Sequence, residues 1–391
     1  MSRENSNHIQ LSIDKIYPYA FVVILIFALI IGLIGLNKGL WHDEYFTIRK
    51  ISHASLFEMY QDLKEDIHPH LYYTLFYFLA KFSRTEEFLR FFNVLLNLGT
   101  IGIVIIWIKP YSSLASLLAG IYLATIPIML RYSQEIKAYP LLLLSTAIAF
   151  LFASYIIAKP ERYLGYLVCS LSLTVAISSN LAGIMLIPSI LVFIAIMAFI
   201  YKKRVQLVKM IPLIFIPTMT FIYFNFFWLE KLEDIKDTWW WMPPISLHLI
   251  SSTAKYLFGL SSLYLPDYLI PLVTLIFFAL LAIAFGFGKW KISFPFLIAA
   301  IIFWVEIIIY SVVESPIFYY RTLLPGLIPF IAFISLQIAT IEKKEIKRVG
   351  IICLTILSLI YTGNWITNQA HKPVEPYKQV GKGVESQWDS N

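Results

Sequence analysis

Two adjacent carboxylates, Asp43 and Glu44, follow the first long apolar run of the sequence, within Trp41-His42-Asp43-Glu44-Tyr45. A carboxylate can take a proton from a hydroxyl group. Because neighbouring carboxylates repel each other, one member of the pair is expected to have a raised pKa. The alternative is that the pair simply begins an ordinary solvated loop.

Basic side chains occur beside tyrosines at two further places. Arg131, Glu135 and Lys137 fall within Arg-Tyr-Ser-Gln-Glu-Ile-Lys, a short connection between apolar runs, and Tyr320-Arg321 precedes a later run. Arginine binds phosphate or carboxylate oxygens through two parallel hydrogen bonds. The basic residues are therefore candidates for holding an anionic group, and Arg131 or Lys137 can instead pair with Glu135. The alternatives are a charged cap at a membrane interface for the first segment and, for Arg321, a side chain that extends from a helix end to the interface.

Histidines open another segment, His68-Pro69-His70-Leu71-Tyr72. It is expected to begin a helix, because proline suits the first helical turn. Its histidines either contact a substrate or are ordinary hydrogen-bonded turn residues.

The composition excludes a soluble globular protein. Of the 391 residues, 59% are hydrophobic and 14% are charged, and the mean hydropathy is +0.73, whereas soluble domains carry about 25% charged residues. The 31 basic and 24 acidic residues give a net charge of +7, which concerns orientation in a membrane more than nucleic-acid binding. Cys169 and Cys353 lie in apolar runs, so no disulfide framework, metal site or redox site is expected from them.

Long apolar runs predict an all-α protein that crosses the membrane repeatedly. A crossing helix needs about 20 apolar residues, and about eleven runs meet this requirement. The first run is interpreted as a membrane helix and not as a cleaved signal peptide, because no small-residue cleavage site follows it. The predicted spans are 17–37, 88–108, 113–130, 139–158, 163–180, 182–201, 210–228, 266–288, 293–313, 322–341 and 348–364.

Every second connection between these spans is basic, provided that the short aromatic segment 71–82 does not cross the membrane. The positive-inside rule then places Lys109 and the clusters at 202–209 and 343–348 in the cytoplasm. The candidate residues consequently lie on the outer side.

The first outer connection, residues 38–87, is long enough to hold structure of its own. Apolar residues at helical spacing predict helices at 54–64 and 70–82 along the outer membrane surface. We expect one integral membrane domain, residues 1–364, and an outer tail, residues 365–391.

Five segments in order, all on the predicted outer side, resemble those of a known superfamily. They are Asp43-Glu44, His68-Pro-x-Leu-Tyr-Tyr, Tyr132-Ser-Gln-Glu-x-x-x-Tyr, Trp241-Met-Pro-Pro and Tyr320-Arg-x-Leu-Leu-Pro. Their order and topology resemble the polytopic GT-C glycosyltransferases, in particular prokaryotic relatives of the dolichyl-phosphate-mannose protein mannosyltransferases and of the lipid A aminoarabinose transferase, which are family 39-like.

Two segments depart from the pattern of that superfamily. His70 stands where a His-Pro-Pro segment would have its second proline. Asn180, within Ser-Asn-Leu, stands where relatives often have a Thr-His-Tyr-like segment.

The resemblance implies an inverting transfer of a sugar from a polyprenyl phosphate to an acceptor hydroxyl at the outer face of a prokaryotic plasma membrane. The leaving phosphate is stable as an anion, so one carboxylate that takes the acceptor's proton suffices. Asp43 is assigned this role, with Glu44 holding Asp43 or a nearby cation. Arg321 is assigned to the phosphate, because fixed cations stabilise the charge that develops there. Further candidates for binding the substrates are Tyr320, Lys137, Arg131, Glu135, His68, His70, Tyr72, Asn180 and Trp241.

Several alternatives stay open. Trp241 and its neighbours Trp239 and Trp240 either stack on a sugar or lipid tail or belong to an aromatic belt at the interface. A flippase or transporter of lipid-linked sugars, or a polysaccharide polymerase, would share this composition, although transporters tend to place ionisable groups at mid-membrane. The outer motifs lack a recognisable metal ligand set, but a divalent cation at the histidines and Asp43 is left open. The sugar and the acceptor are not determined by the sequence.

Overall fold

The computed structural model describes residues 2–64, 68–236, 243–314 and 316–369, with side chains described for 15–64, 68–224, 243–314 and 316–368. Sixteen α-helices and no strand occur within these ranges, which confirms the predicted all-α class. The helices are α1 Ser2–Leu33, α2 His42–Ile51, α3 Leu56–Leu63, α4 His70–Ala80, α5 Glu86–Ile108, α6 Ser113–Thr125, α7 Pro127–Ser133, α8 Tyr139–Ala158, α9 Tyr163–Ser179, α10 Leu186–Ile200, α11 Leu207–Lys236, α12 Leu247–Leu257, α13 Ile270–Phe287, α14 Trp290–Val313, α15 Leu324–Thr340 and α16 Lys344–Asn364.

Eight helices of the described ranges are long and apolar enough to cross a membrane, and α6 with α7 makes a ninth if the bent pair is one span. α9 and α15 are apolar but have 17 residues each. The prediction of about eleven spans is therefore not confirmed as a number, although each predicted segment contains a helix. α4, which covers the segment at 71–82, does not meet the criteria for a span.

The predicted span 113–130 consists of two helices, α6 and α7, which meet at a bend of 62°. Ile126 lies between them with φ of −61° and ψ of 127°, and Pro127 begins α7. Proline disfavours the helical conformation in the residue before it, which explains the break. After the bend the chain is held against the end of α1, because Gln134 Nε2 donates to the carbonyl oxygens of Gly32 and Ile34, at 2.8 Å each.

α15 lies in the core of the bundle. All its residues from Leu324 to Ile338 are buried, as expected of a helix that is apolar on every side. α15 packs against α6, α8, α13 and α14. Its close approach to α14 depends on Gly326, because a Cβ atom there would lie 2.4 Å from Trp304 Nε1. Trp304 Nε1 also donates to Leu323 O at 3.0 Å, which fixes the turn that follows Arg321.

Three short helices, α2 to α4, lie between α1 and α5. α3 and α4 confirm the helices predicted at 54–64 and 70–82, whereas α2 is not predicted. α2 carries Asp43 and Glu44 in its first turn and Arg49 and Lys50 in its last, where each sign of charge stabilises the helix dipole. Since Glu44 is buried, the alternative that the pair begins an ordinary solvated loop is wrong.

Candidate active site

Asp43 and Arg321 are in contact although 278 positions separate them in the sequence. Arg321 Nη1 donates to Asp43 Oδ2 at 3.0 Å, and the Asp43 side chain remains 29% exposed. Burial acts to raise the pKa of Asp43, but the positive charges of Lys137, Arg321 and His68 outweigh it and hold the pKa below its ordinary value. The raised pKa that the sequence suggested is therefore not found at Asp43.

Glu44 is bound by Arg90, a residue of α5 that belongs to none of the five sequence segments named above. Arg90 Nε donates to Glu44 Oε1 at 2.9 Å and Nη2 donates to Oε2 at 2.6 Å. Neither side chain is more than 1% exposed, and a charge so deeply buried requires partners. The same carboxylate accepts from Ile136 N at 3.0 Å. Arg90 donates further hydrogen bonds to the carbonyl oxygens of Leu36, Lys38 and Gly39.

Arg131 and Glu135 form a third ion pair, with Arg131 Nε donating to Glu135 Oε1 at 2.8 Å. The Glu135 side chain is fully buried. Asn93 of α5 donates to the carbonyl oxygens of Glu135 and Lys137 and so fixes this loop against α5. The loop is therefore buried and held by side chains from neighbouring helices.

Tyrosine rings surround Arg321. The ring of Tyr320 has its centroid 4.1 Å from that of Tyr319, 5.1 Å from Tyr256 and 6.4 Å from Tyr132. The Arg321 guanidinium lies 5.4 Å from the centroid of the Tyr319 ring, within the range of a cation–π interaction. Tyr319 therefore contacts both Tyr320 and Arg321.

A cavity of about 320 Å³ opens beside Asp43. All but one of its lining residues have charged or ionisable side chains, and both signs of charge occur. The lining residues are His42, Asp43, Phe46, Arg49, Lys50, Asp62, His68 and Lys137. α2 supplies the first five, which recur at the three- and four-residue spacing of one helix face. Glu44, Thr47 and Ile51 of the same helix do not line the cavity and are buried.

Asp62 of α3 is a second carboxylate of this cavity and is bound by three basic side chains. Lys50 Nζ donates to Asp62 O at 3.1 Å and lies 3.6 Å from Oδ1. His53 Nε2 lies 3.0 Å from Oδ2 and Arg49 Nη2 lies 3.7 Å from Oδ1. Burial acts to raise the pKa of Asp62, but the hydrogen bond with His53 and the charges of Lys50 and Arg49 outweigh it and lower the pKa. None of the sequence motifs described above indicates this cluster.

Tyr72 and His70, two predicted site residues of α4, have partners within the fold. The hydroxyl of Tyr72 accepts from Asn93 Nδ2 at 3.0 Å, and Tyr72 is buried. The ring of His70 stacks on Phe224 with 5.9 Å between centroids. Of the two histidines predicted here, His68 lines the cavity beside Asp43 and His70 is not among its lining residues.

Asn180 caps a short 3-10 helix, Leu181–Met185, because its Oδ1 accepts from Ala182 N at 3.0 Å. Trp241 and its neighbours Trp239 and Trp240 lie outside the described residues. Across the described ranges, no group of three or more His, Cys, Asp and Glu side chains is placed to hold a metal ion.

Neither a family model nor a curated protein sequence matches this chain. Solved structures do match it. ArnT from Cupriavidus metallidurans, bound to undecaprenyl phosphate, gives a TM-score of 0.56 at 11% identity and covers 89% of this chain and 77% of its own. An oligosaccharyltransferase from Archaeoglobus fulgidus, in complex with zinc and sulfate, gives a TM-score of 0.49 at 13% identity over 90% of this chain. This chain spans 53% of the length of the archaeal protein.

The similarity to ArnT extends over most of both chains, 89% of this one and 77% of the other. The chain therefore has the GT-C fold, the fold of polytopic membrane glycosyltransferases.

Proposed function

We propose that the protein is an inverting glycosyltransferase that moves a sugar from a polyprenyl-phosphate donor to an acceptor hydroxyl at the outer face of a prokaryotic plasma membrane. The observation that carries the proposal is the contact between Asp43 and Arg321. It joins a base for the hydroxyl and a cation for the phosphate at one end of a GT-C bundle. The undecaprenyl phosphate bound to ArnT is the class of lipid carrier that we infer for this chain.

In the proposed reaction Asp43 takes the proton of the acceptor hydroxyl while the acceptor oxygen bonds to the anomeric carbon. The bond from that carbon to the phosphate oxygen breaks, and its electron pair leaves with the phosphate. The lowered pKa keeps Asp43 ionised at neutral pH, so its carboxylate is ready to accept the proton. No general acid is required, because the phosphate leaves as a stable anion.

Arg321 has two partners in this scheme. Without a donor its guanidinium binds Asp43; with a donor it also binds the phosphate, whose negative charge then lies close to Asp43. That charge raises the pKa of Asp43 towards its ordinary value and strengthens it as a base. Lys137 and His68 supply further positive charge near Asp43. Fixed cations of this kind stabilise the charge that develops on the leaving phosphate.

The remaining residues hold these groups in place. Arg90 binds Glu44, which is adjacent to Asp43, and so fixes the first turn of α2. The pair of Arg131 with Glu135 shapes the loop that carries Lys137. We assign Glu44 to this supporting role and not to proton transfer.

The test uses membranes that contain the protein and a set of radiolabelled polyprenyl-phosphate sugars. Transfer or slow hydrolysis of one donor, abolished in Asp43→Asn, supports the proposal. Asp267→Asn is the matched control, because it removes an exposed carboxylate from the connection before α13. Movement of the donor across the bilayer without transfer would identify a flippase and contradict the proposal.

A further inference from the structure

The cavity beside Asp43 is placed to hold the second substrate of the reaction. This interpretation rests on the function proposed above. Asp43 lines this cavity, whereas the lining does not include Arg321. In an inverting displacement the entering hydroxyl and the leaving group lie on opposite faces of the anomeric carbon, and the base lies on the side of the hydroxyl. With the phosphate at Arg321, the cavity that Asp43 lines and Arg321 does not is therefore the place for the acceptor.

The lining of the cavity indicates the chemical class of that acceptor. Asp43 and Asp62 provide carboxylate oxygens that accept hydrogen bonds, Lys50 and Lys137 provide ammonium groups that donate them, and Phe46 provides an aromatic ring. A lipid chain has no use for such charged groups, since burying them against hydrocarbon is costly. A ring with several hydroxyls can donate to the carboxylates and accept from the cations at the same time.

The size of the cavity leads to the same class. Sites for small ligands occupy roughly 300–1,000 Å³, and this cavity, at about 320 Å³, lies at the lower end. We propose that the cavity binds the acceptor as one hydroxylated ring, a sugar of a glycan or glycolipid, and that Asp62 selects this ring by accepting hydrogen bonds from its hydroxyls.

Asp62 is suited to this role because its position and its charge are both fixed. Met59 and Leu63 anchor α3 in a buried cluster, and Lys50 and His53 bind the Asp62 carboxylate. The side chain nevertheless remains 21% exposed. A hydrogen bond to an ionised group is about twice as strong as one between neutral groups. A site built around such a bond strongly rejects a ligand that lacks the hydroxyl.

Two other classes of acceptor fit less well. A serine or threonine side chain of a protein presents a single hydroxyl, which Asp43 would engage, and leaves Asp62 without a role. An acceptor with its own phosphate or carboxylate would have to bind the cations of the lining, of which Arg49 and Lys50 already lie against Asp62. Its negative charge would also lie close to Asp62, which stays ionised at neutral pH.

The test measures ligand binding to the full-length protein in nanodiscs that contain undecaprenyl phosphate. Saturation-transfer NMR detects the binding of each probe. The probes are methyl glycosides of glucose, mannose, galactose and N-acetylglucosamine, a serine-containing tripeptide and glucose 1-phosphate. We expect at least one neutral glycoside to bind, at least tenfold more tightly than the tripeptide or the sugar phosphate. Its binding should weaken at least tenfold in Asp62→Asn. A deoxy analogue that lacks the hydroxyl bound by Asp62 should bind the unmodified protein and Asp62→Asn equally.

Two further variants protect this test against a loss of local structure. Phe46→Leu removes the aromatic ring from the cavity, together with its contact to Arg49, but leaves Lys50 and His53 bound to Asp62. It should also weaken glycoside binding. Glu58→Gln is the matched control, because it removes an exposed carboxylate from the same short helix, and it should bind glycosides like the unmodified protein.

Unchanged glycoside binding in both Asp62→Asn and Phe46→Leu would overturn the inference, as would preferential binding of the tripeptide or the sugar phosphate. Native mass spectrometry of bound undecaprenyl phosphate separates this outcome from failure of the proposed function. Arg321→Ala should lose the lipid phosphate, whereas Asp62→Asn should retain it. If Arg321→Ala retains the lipid phosphate fully, the assignment of the donor site is wrong, whatever the glycosides do.

Discussion

Glu44 and Arg90 form a two-point ion pair in which both carboxylate oxygens are bound and the Arg90 side chain is entirely buried. In the same helix the hydroxyl of Thr47 donates to Asp43 O at 3.0 Å. The carboxylate next to the proposed base is therefore part of the framework of α2. Its contribution to turnover is expected to act through the position of Asp43.

Breaking this pair should destabilise the protein strongly. In Arg90→Met the charge of Glu44 stays buried without its partner, which typically costs about 3–5 kcal/mol. The double variant Glu44→Leu with Arg90→Met should recover much of that loss, because both charges are then removed. The thermal unfolding temperature in nanodiscs measures both effects. Lys289→Met, which breaks the exposed pair of Lys289 with Glu342, should leave that temperature unchanged; an equal effect of the two single variants would contradict the role of Arg90.

Two replacements of Arg321 should separate the contribution of its positive charge to turnover from the contribution of its planar geometry. Arg321→Ala is expected to lower turnover at least tenfold, and Arg321→Lys should fall between it and the unmodified protein, because an ammonium cannot bind two oxygens in the planar geometry of a guanidinium. Donor-dependence curves measure the effect on kcat and KM. Asp43→Asn should lower kcat at least tenfold with normal expression, and unchanged kcat in that variant would remove Asp43 as the base.

The pH profile of kcat/KM should report the lowered pKa of Asp43. Asp43 must be ionised to accept a proton, so activity should stay level down to about pH 4, the ordinary range of an aspartate, and fall only below it. Lys137→Met removes the charge that contributes most to the lowering and should move the acidic limb to higher pH. A limb at the same pH in both proteins would show that Lys137 does not act on Asp43.

Lys38 provides a stability test at alkaline pH. Burial lowers the pKa of Lys38 to about 8, although the negative charges of Glu135 and Glu44 act in the other direction. Between pH 8 and 10.5, the ordinary value, the unfolded chain binds more protons than the folded one, so this group makes stability rise with pH. The unfolding temperature of the unmodified protein, compared with that of Lys38→Met at the same pH, should therefore increase from pH 7 to pH 10. Parallel curves for the two proteins would contradict the lowered pKa.

The orientation in the membrane can be tested with single cysteines in a background of Cys169→Ser and Cys353→Ser. Ser246→Cys, in the connection before α12, should react with a membrane-impermeant reagent added to intact cells. Lys203→Cys, in the basic connection after α10, should react only after the cells are opened. The reverse pattern would place the contact between Asp43 and Arg321 in the cytoplasm and remove the proposed orientation.

The membrane helices were predictable because a crossing segment must be apolar over most of its length, and such a run is visible without knowledge of its neighbours. α2 was not predictable in this way, because its ten residues carry acidic groups at one end and basic groups at the other and have no long apolar stripe. Its stability comes from partners such as Arg90, which lies 46 positions away in the sequence. The bend before Pro127 had a local signal, the proline itself.

The site was predictable in part. Asp43 and Arg321 stand at corresponding ends of predicted spans, so their proximity could be anticipated from topology alone. Arg90 could have been found, since an arginine inside an apolar helix requires a partner. Asp62 could not, because its three basic partners and their geometry depend on how α2 and α3 pack together.

The separations of the two ion pairs along the chain set an order for biosynthesis. Glu44 and Arg90 are 46 positions apart and can meet as soon as α5 has been inserted, whereas Asp43 waits for a residue 278 positions further on. A growing polypeptide therefore acquires a braced α2 early and the contact between Asp43 and Arg321 only near the end of translation. A ribosome that stalls midway would leave in the membrane an anchored fragment that holds Glu44 against Arg90 but lacks the partner of Asp43.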